Sequence, residues 1–198
     1  IRSCLVGSEM CIRDSSLGND TQHLVGGEYI AAAVSGLVVS PNRDVATPWT
    51  NSRLFGFDNL ARVSDAVQKN QLASAGISVI EDANPALKIR HGLTTDMTNV
   101  LTKTPTVIQI ADEVQQSTRT ALAKFVGIKF LPSVLSQIEG TLAMTMKEFV
   151  RKEVITAYTG IKANVSPDDP TVAEVEAYYQ PVFPLLYLVV TFNMRASL

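Results

Sequence analysis

The sequence predicts an α+β fold, a mixed α/β sandwich in which a mixed β-sheet is packed by two or three long helices. Two patterns support this prediction. Apolar residues recur every three or four positions over residues 132–152, as in an amphipathic helix. Apolar and polar residues alternate over residues 86–92, as in a strand with one buried face. Because both periods occur along one chain, helices and strands are expected to share a core.

The composition is that of a folded domain without a pronounced charge. The 198 residues are 46% apolar and 18% charged, with a formal net charge of -2, so the chain can bury a core of its own. Its pI of about 5.7 is not that of a basic nucleic-acid-binding domain. The longest apolar runs, 29–39 and 185–190, fall short of the roughly 20 residues that cross a bilayer. We therefore expect no nucleic-acid partner and no membrane insertion.

The first fifteen residues differ from the rest of the chain. They have neither a helical nor a strand period, and they hold both cysteines, Cys4 and Cys11. These cysteines could pair or bind a metal, but no nearby histidine or further cysteine completes a four-ligand site. The run CLVGSEMCIRDS resembles a translated sequencing adapter. We therefore expect residues 1–15 to be non-native and disordered, and residues 16–198 to be one domain of a longer protein.

Several segments have helical patterns, and helices are predicted over residues 29–39, 64–75, 111–125 and 132–152. The first is rich in alanine and follows two glycines. Ser64 can cap the second, and Gly76 suits its C-terminal turn. Pro132 suits the first turn of the last helix. Its apolar stripe consists of Leu135, Ile138, Leu142, Met146, Phe149 and Val150.

Other segments have strand patterns, and strands are predicted over residues 77–82, 86–92, 106–110, 154–165, 174–182 and 184–192. Residues 40–60, rich in proline and asparagine, are predicted as loop. The first two strands flank Asn84 and Pro85, which indicates a hairpin. The last strand, PLLYLVVTF, is almost wholly apolar. Because a strand needs a neighbour on at least one side, its partner must come from this chain or from another copy.

No familiar catalytic signature occurs in the sequence. Phosphate-binding, dinucleotide-binding, nucleophile-elbow and zinc-peptidase motifs are all missing. His23 and His91 are far apart, and Glu81 and Asp82 are strand neighbours whose side chains point to opposite faces. The acidic pair in SPDDP lacks the other ligands of a calcium loop. We therefore predict a protein that is not an enzyme, with no catalytic residue, metal site or cofactor.

Short motifs occur in a defined order along residues 24–193. A small-residue helix precedes a segment rich in proline and asparagine, a Leu-Gly-Ile motif enters a strand, a Gly-Thr turn follows, and a proline-marked strand pair closes the domain. The positions are Leu72, Gly76 and Ile77, then Gly92, Thr94 and Thr95, and finally Pro181 and Pro184. In this order the chain resembles the C-terminal part of contractile phage tail sheath proteins. It departs from the family pattern at Leu186, where many relatives carry glutamate.

The resemblance implies a structural subunit of a contractile tail. Such subunits polymerise with copies of themselves around a tail tube, contact a baseplate, and contract to drive the tube through the host envelope. The implied location is the virion tail, assembled in the host cytoplasm. In the family, terminal arms add strands to the sheets of neighbouring subunits. We therefore expect residues 185–192 to join a sheet that also accepts strands from other copies.

The implied interface residues lie on the last two predicted strands. They are Leu186, Leu188, Val190 and Phe192, together with Tyr178 and Tyr179. The two tyrosines are strand neighbours, so one ring is expected to face the core and the other to face outward as a contact residue.

Two other functions are compatible with the sequence. The chain could be the sheath of a secretion or bacteriocin-type contractile system, which shares the fold. It could also be a fragment of an α/β enzyme whose catalytic half is missing, with His91 sharing a pocket with Glu81 or Asp96. An open sheet edge favours a sheath, whereas a polar cavity with facing titratable groups favours an enzyme.

Overall fold

A computed structural model describes the fold over residues 12–13, 24–25, 27–40, 43–57, 60, 64–83 and 86–191. The described helices are α1 (Gly27–Val39), α2 (Ala66–Ser74), α3 (Pro105–Leu122) and α4 (Pro132–Arg151), and a 3-10 turn (Ala123–Phe125) continues α3. The described strands are β1 (Ile12–Arg13), β2 (Leu24–Val25), β3 (Arg53–Leu54), β4 (Ile80–Asp82), β5 (Leu87–Ile89), β6 (Ile155–Val165) and β7 (Ala173–Pro181). Within these ranges, no helix is both long enough and apolar enough to cross a membrane.

The α+β class predicted from the sequence is confirmed, but the strands are arranged differently from the single mixed sheet that was expected. They form three separate antiparallel sheets, with the orders β1-β2, β3-β5-β4 and β6-β7. Short turns join β4 to β5 and β6 to β7, and short turns can connect only antiparallel neighbours. The β6–β7 hairpin forms a sheet by itself, whereas the β4–β5 hairpin is extended by β3.

The first core lies between α1 and the three-stranded sheet. Its buried residues are Ile30 and Val34 of α1, Leu54, Ile80, Leu87 and Ile89 of the sheet, and Leu60. Leu87 and Ile89 are fully buried on either side of the half-buried Lys88, as the alternating pattern predicts. The predicted hairpin and the predicted helix over residues 29–39 are both confirmed.

Two of the motifs noted in the sequence pack directly against each other. Gly76 follows α2 with a φ of +75°, which glycine adopts without strain. A Cβ atom at this position would collide with the carbonyl oxygen of Thr94. The N–H of Ile77 donates to the carbonyl of Leu72 at 3.0 Å and closes the helix end. Both the backbone angle and the close contact therefore require glycine at position 76.

The second core lies between helices α3 and α4 and one face of the β6–β7 hairpin. Its buried residues are Ile110 and Val114 of α3, Leu142, Met146 and Phe149 of α4, and Val154 and Ile155 at the start of β6. A smaller cluster of Val134, Ile138 and Ala163 continues it toward the far end of the hairpin. The stripe predicted on the long helix is confirmed, with Val134 buried and its neighbour Leu135 half-buried.

The strand predicted over residues 106–110 is wrong, because these residues form the first turns of α3. Pro105 occupies the first helical position, where its missing N–H costs nothing. Val107, Ile110 and Val114 are buried at spacings of three and four, so the apolar face has a helical period. The run TVIQI is too short for its β-branched residues to distinguish the two periods.

Two boundaries also differ from the prediction. The cap of α2 is Asp65 rather than Ser64, because the Asp65 carboxylate accepts a hydrogen bond from the N–H of Gln68 at 2.7 Å. The Gln68 side chain accepts in return from the Asp65 N–H, completing a capping box. Within the predicted loop over residues 40–60, Arg53 and Leu54 form β3 by pairing with β5.

The N-terminal segment is described only in part. Ile12 and Arg13 pair with Val25 and Leu24 as β1 and β2, and the rest of residues 1–23 lies outside the described ranges. The assignment of residues 1–15 as non-native and disordered stays a prediction.

The packing of α4 yields a stability prediction with a control on the same helix. Leu142 is buried and Met144, two residues away, is 75% exposed. Leu142→Ala should lower the free energy of unfolding by about 2–5 kcal/mol because it leaves a cavity in the core. Met144→Ala should change it by less than about 0.5 kcal/mol. Urea unfolding followed by circular dichroism measures both, and equal effects would show that the buried face is misassigned.

Candidate subunit interface

The β6–β7 hairpin is a sheet of only two long strands. Residues Ile155–Val165 and Ala173–Pro181 pair with each other, and α3 and α4 cover one face of the pair. Among the described residues, no third strand joins either outer edge. Edge strands present unpaired N–H and C=O groups that can bond another extended segment. The edges of this hairpin can therefore accept a strand, except at Ala163 of β6, whose N–H already donates to the Glu139 carboxylate at 2.9 Å.

The outer face of the hairpin is open and has a bulge at its centre. The register of β6 shifts between Thr159 and Lys162, and Gly160 has a φ of +67°. The Tyr178 ring lies over this glycine so closely that a Cβ atom would be 2.7 Å from the ring. A bulge bends a strand and increases its twist. Glycine at position 160 permits both the bulge and the close approach of the ring.

The two tyrosines of β7 point to opposite faces, as predicted. Tyr178 is exposed on the outer face, whereas Tyr179 packs against the second core. Burial raises the pKa of Tyr179, and the negative charge of Asp112 raises it further. Tyr178 is therefore available to a partner, and Tyr179 belongs mainly to the domain interior.

Residues 182–191, which follow β7, belong to no helix or strand, and we call them the terminal segment. The N–H of Val182 donates to the carbonyl of Val154 at 3.2 Å. Val182, Pro184 and Leu186 are half-buried and alternate with exposed residues. Leu188 and Val189 are 79% and 89% exposed. The segment thus begins against its own domain and ends as an apolar chain in solvent.

The strand predicted over residues 184–192 does not form in the described part of this segment, which ends at residue 191. A strand exists only when its backbone groups pair with a neighbour, and no described strand lies beside this one. Phe192 lies outside the described residues. Of the other proposed contact residues, Leu186 is half-buried, and Leu188 and Val190 are exposed. Their role in an interface stays a prediction.

One aromatic contact holds the terminal segment near the three-stranded sheet. The rings of Tyr187 and His91 lie 5.3 Å apart between centroids, at 45°, a tilted geometry that aromatic pairs favour. Burial lowers the pKa of His91, the charge of Arg90 lowers it further, and Glu81 partly opposes both. His91 Nδ1 is buried with no hydrogen-bond partner among the described residues. Sequence analysis missed this contact, because nothing in the sequence links two residues so far apart.

The carboxylates that an enzyme would need beside His91 are engaged by other side chains. Glu81 lies 3.1 Å from Lys88 Nζ and 3.5 Å from Lys69 Nζ. Asp96 is exposed and accepts hydrogen bonds from the hydroxyls of Thr98 and Thr102 at 2.6 and 2.7 Å. Both therefore have structural roles. Within the described ranges, no group of three or more His, Cys, Asp or Glu side chains could hold a metal ion.

The sequence is similar to two tail sheath proteins, although no family model matches it. It is 30% identical over 174 residues to the tail sheath protein of Mycobacterium phage Bxz1. This alignment covers 86% of this chain and 30% of the phage protein. It is 29% identical over 168 residues to the tail sheath protein of Bacillus phage SP01. This second alignment covers 82% of this chain and 28% of the phage protein. The chain therefore spans less than a third of the length of these curated relatives.

The fold is similar to that of solved contractile sheaths. The contracted helical sheath of the anti-feeding prophage matches with a TM-score of 0.77 over 93% of this chain and 54% of that chain, at 13% identity. The resemblance to contractile tail sheath proteins, noted from the order of the motifs, is confirmed.

The ion pairs of Glu81 predict how stability depends on pH. Burial by itself would raise the pKa of Glu81, but Lys88 and Lys69 outweigh it and hold the pKa below its ordinary value of 4.5. The folded state therefore binds fewer protons than the unfolded state. The resulting stabilisation is present above about pH 4.5 and is lost as the pH falls through the lowered pKa.

Glu81→Gln should therefore destabilise the chain at neutral pH. The difference from the wild type should stay constant down to about pH 5 and shrink in more acidic solution. Urea midpoints measured from pH 3 to pH 7 would test this. A difference that stays constant across the whole range would contradict the assigned role of Glu81.

Proposed function

We propose that this chain is a structural subunit of a contractile tail sheath, which polymerises around a tail tube and contracts to drive the tube through a host envelope. The proposal rests on one observation: the same domain has a two-stranded sheet with no further strand at its edges and a terminal segment that pairs with no strand. In the described chain no third strand joins either edge of the β6–β7 hairpin, and residues 182–191, which follow it, have no strand partner. The similarity to two phage tail sheath proteins supports the same role.

If copies exchanged their terminal segments, each hairpin would gain a neighbouring strand and each segment would gain a strand partner. The segment would add to an edge of the hairpin of a neighbouring copy, with Leu186, Leu188, Val190 and Phe192 on one side of the added strand. Residues 193–198 would form its outgoing end. Every second side chain of such a strand points to the same face, so one apolar row can cover the helices below the sheet. This mode of binding is β-strand addition.

The energetics suit a connected lattice. Each main-chain hydrogen bond contributes about 1 kcal/mol net, so a short added strand contributes a few kcal/mol. Burying an exposed leucine or valine adds about 1.5–3 kcal/mol. Every subunit would donate one strand and accept at least one other. Repetition of the junction over many copies would make the sheath mechanically continuous.

Strand exchange also suits contraction. A ladder of hydrogen bonds fixes the register of the joined strands, so neighbouring subunits stay connected while they move. The residues between β7 and the exchanged strand would act as the link about which each domain rotates. A flat apolar contact would have to slide or separate during the same movement.

The remaining partners follow from the proposed role. The sheath would surround a tube protein and dock on a baseplate, and the site of action would be the virion tail, assembled in the host cytoplasm. The role requires no nucleic acid, membrane insertion, cofactor or catalysis. The engagement of Glu81 and Asp96 by other side chains supports a non-enzymatic protein.

A second candidate is the sheath of a secretion or bacteriocin-type contractile system. The fold similarity to the contracted sheath of the anti-feeding prophage favours this alternative. The reading frames beside the gene distinguish the two. A tube protein gene directly downstream supports either sheath, and phage capsid and packaging genes in the same cluster favour the phage tail.

Removal of residues 185–198 tests strand exchange. The truncated chain should keep its fold, because only Leu186 and Tyr187 of the deleted described residues contact the domain appreciably, but it should no longer polymerise. Electron microscopy and sedimentation velocity measure assembly, and thermal melting serves as the control for folding. Undiminished tubular assembly by the truncated chain would contradict the proposal.

A further inference from the structure

The contact between His91 and Tyr187 is the outermost attachment of the terminal segment to its own domain in the described chain. Next to β7, the N–H of Val182 donates to the carbonyl of Val154 at 3.2 Å, and alternate residues after it are half-buried. Tyr187 then meets His91 at 5.3 Å between ring centroids. All described residues beyond it, 188–191, are exposed. This pair of rings therefore determines whether the outer half of the segment stays on the domain.

Among the described residues, His91 has no partner that could accept a second ring proton. Its Nδ1 atom is buried and makes no hydrogen bond there. A neutral imidazole tolerates this arrangement, because it carries a single N–H and can leave Nδ1 as the unprotonated nitrogen. An imidazolium donates from both nitrogens. Protonation would therefore bury a charged N–H that bonds to nothing, which is costly.

The surroundings of His91 also oppose protonation. Burial lowers the pKa of His91 below its ordinary value of 6.5, and the positive charge of Arg90 lowers it further. The carboxylate of Glu81 acts in the opposite direction, but it is paired with Lys88 and Lys69. The neutral form of His91 is therefore the form that fits this site.

The ring of Tyr187 does not compensate for the cost of protonation. Tyr187 brings an aromatic ring and no carboxylate, and its side chain is itself more than half exposed. A cation near the face of an aromatic ring is attracted to it, but this attraction is weak at exposed sites. It is smaller than the loss from a buried charged donor without an acceptor. Protonation of His91 therefore weakens the contact as a whole.

We propose that His91 and Tyr187 form a pH-sensitive latch, which holds the outer half of the terminal segment on its own domain while His91 is neutral and releases it when His91 is protonated. The latch is a property of the single chain, so it goes beyond the proposed function and holds whether or not copies exchange strands. By reciprocity, removal of the segment must also make His91 easier to protonate. A partner that binds the outer half of the segment would have to open the latch.

The direction of the pH dependence follows from linkage. In the released state His91 is less buried, so its pKa lies closer to the ordinary value of 6.5 than in the attached state. The attached state therefore binds fewer protons between the two pKa values. Attachment is strongest above about pH 6.5, weakens as the pH falls below this value, and is weakest below the lowered pKa.

Titration of the His91 imidazole by NMR tests the latch. The chain has two histidines, so a His23→Gln background leaves one imidazole signal to follow. Tyr187→Ala should raise the pKa of His91 by about half a unit or more, because it removes the ring that covers the imidazole, and half a unit is about a threefold change in attachment. Leu188→Ala, at the next position, which is 79% exposed, should leave the pKa unchanged. An unchanged or lower pKa in Tyr187→Ala, or an equal rise in Leu188→Ala, would overturn the proposal.

The mobility of the segment tests release itself. A spin label is attached at Val190→Cys in a Cys4→Ser, Cys11→Ser background, at a concentration where sedimentation shows single chains. The label should become more mobile between about pH 8 and about pH 5. His91→Phe keeps an aromatic ring and removes the ionisation, so its label should be equally mobile at both pH values, and thermal melting confirms that this variant is folded. A label that does not respond to pH with His91 present, or responds equally in His91→Phe, would contradict release by His91.

Discussion

The structure depends on one constraint: a β-strand needs a neighbour on at least one side, and an edge without a second neighbour can still bond another strand. The β6–β7 hairpin has a buried face supplied by α3 and α4, so it has a stable position in the domain. In the described chain it has no neighbour at either edge. The domain is therefore complete as a packed core and incomplete as a sheet. A second copy can complete the sheet without any change to the core, which is the property that a polymerising subunit requires.

The two cores lie beside different parts of the proposed interface. His91 follows β5 of the three-stranded sheet, which forms one core with α1, and its ring contacts Tyr187 in the middle of the terminal segment. The core beneath the hairpin supports β6 and β7. Donor and acceptor thus lie on different parts of the domain. In the proposed exchange, that separation would favour pairing between copies over closure within one copy. An arrangement in which each subunit gives and accepts one strand forms a ring if its rotation closes and a helical filament if it does not.

A feature could be predicted from the sequence when a pattern of many neighbouring residues determines it, and not when it depends on residues far apart in the chain. The stripe on α4 recurs over about four turns, so its helix and its buried face were predictable, and the alternation about Lys88 identified the hairpin. Residues 106–110 were misassigned because five residues do not distinguish a strand from a helix that begins at Pro105. The Tyr187–His91 contact had no sequence signal, because it joins residues that only the tertiary fold brings together.

Amide hydrogen exchange of the terminal segment, before and after assembly, tests strand exchange most directly. The account predicts that the amides of residues 183–191, other than proline, exchange rapidly in the free chain, because no described strand pairs with them. In the assembled state alternate amides of the segment should become strongly protected, together with amides on the outer edge of β7, because strand addition bonds both. Rapid exchange of the segment in assembled material, with no new protection along β7, would contradict strand exchange between copies.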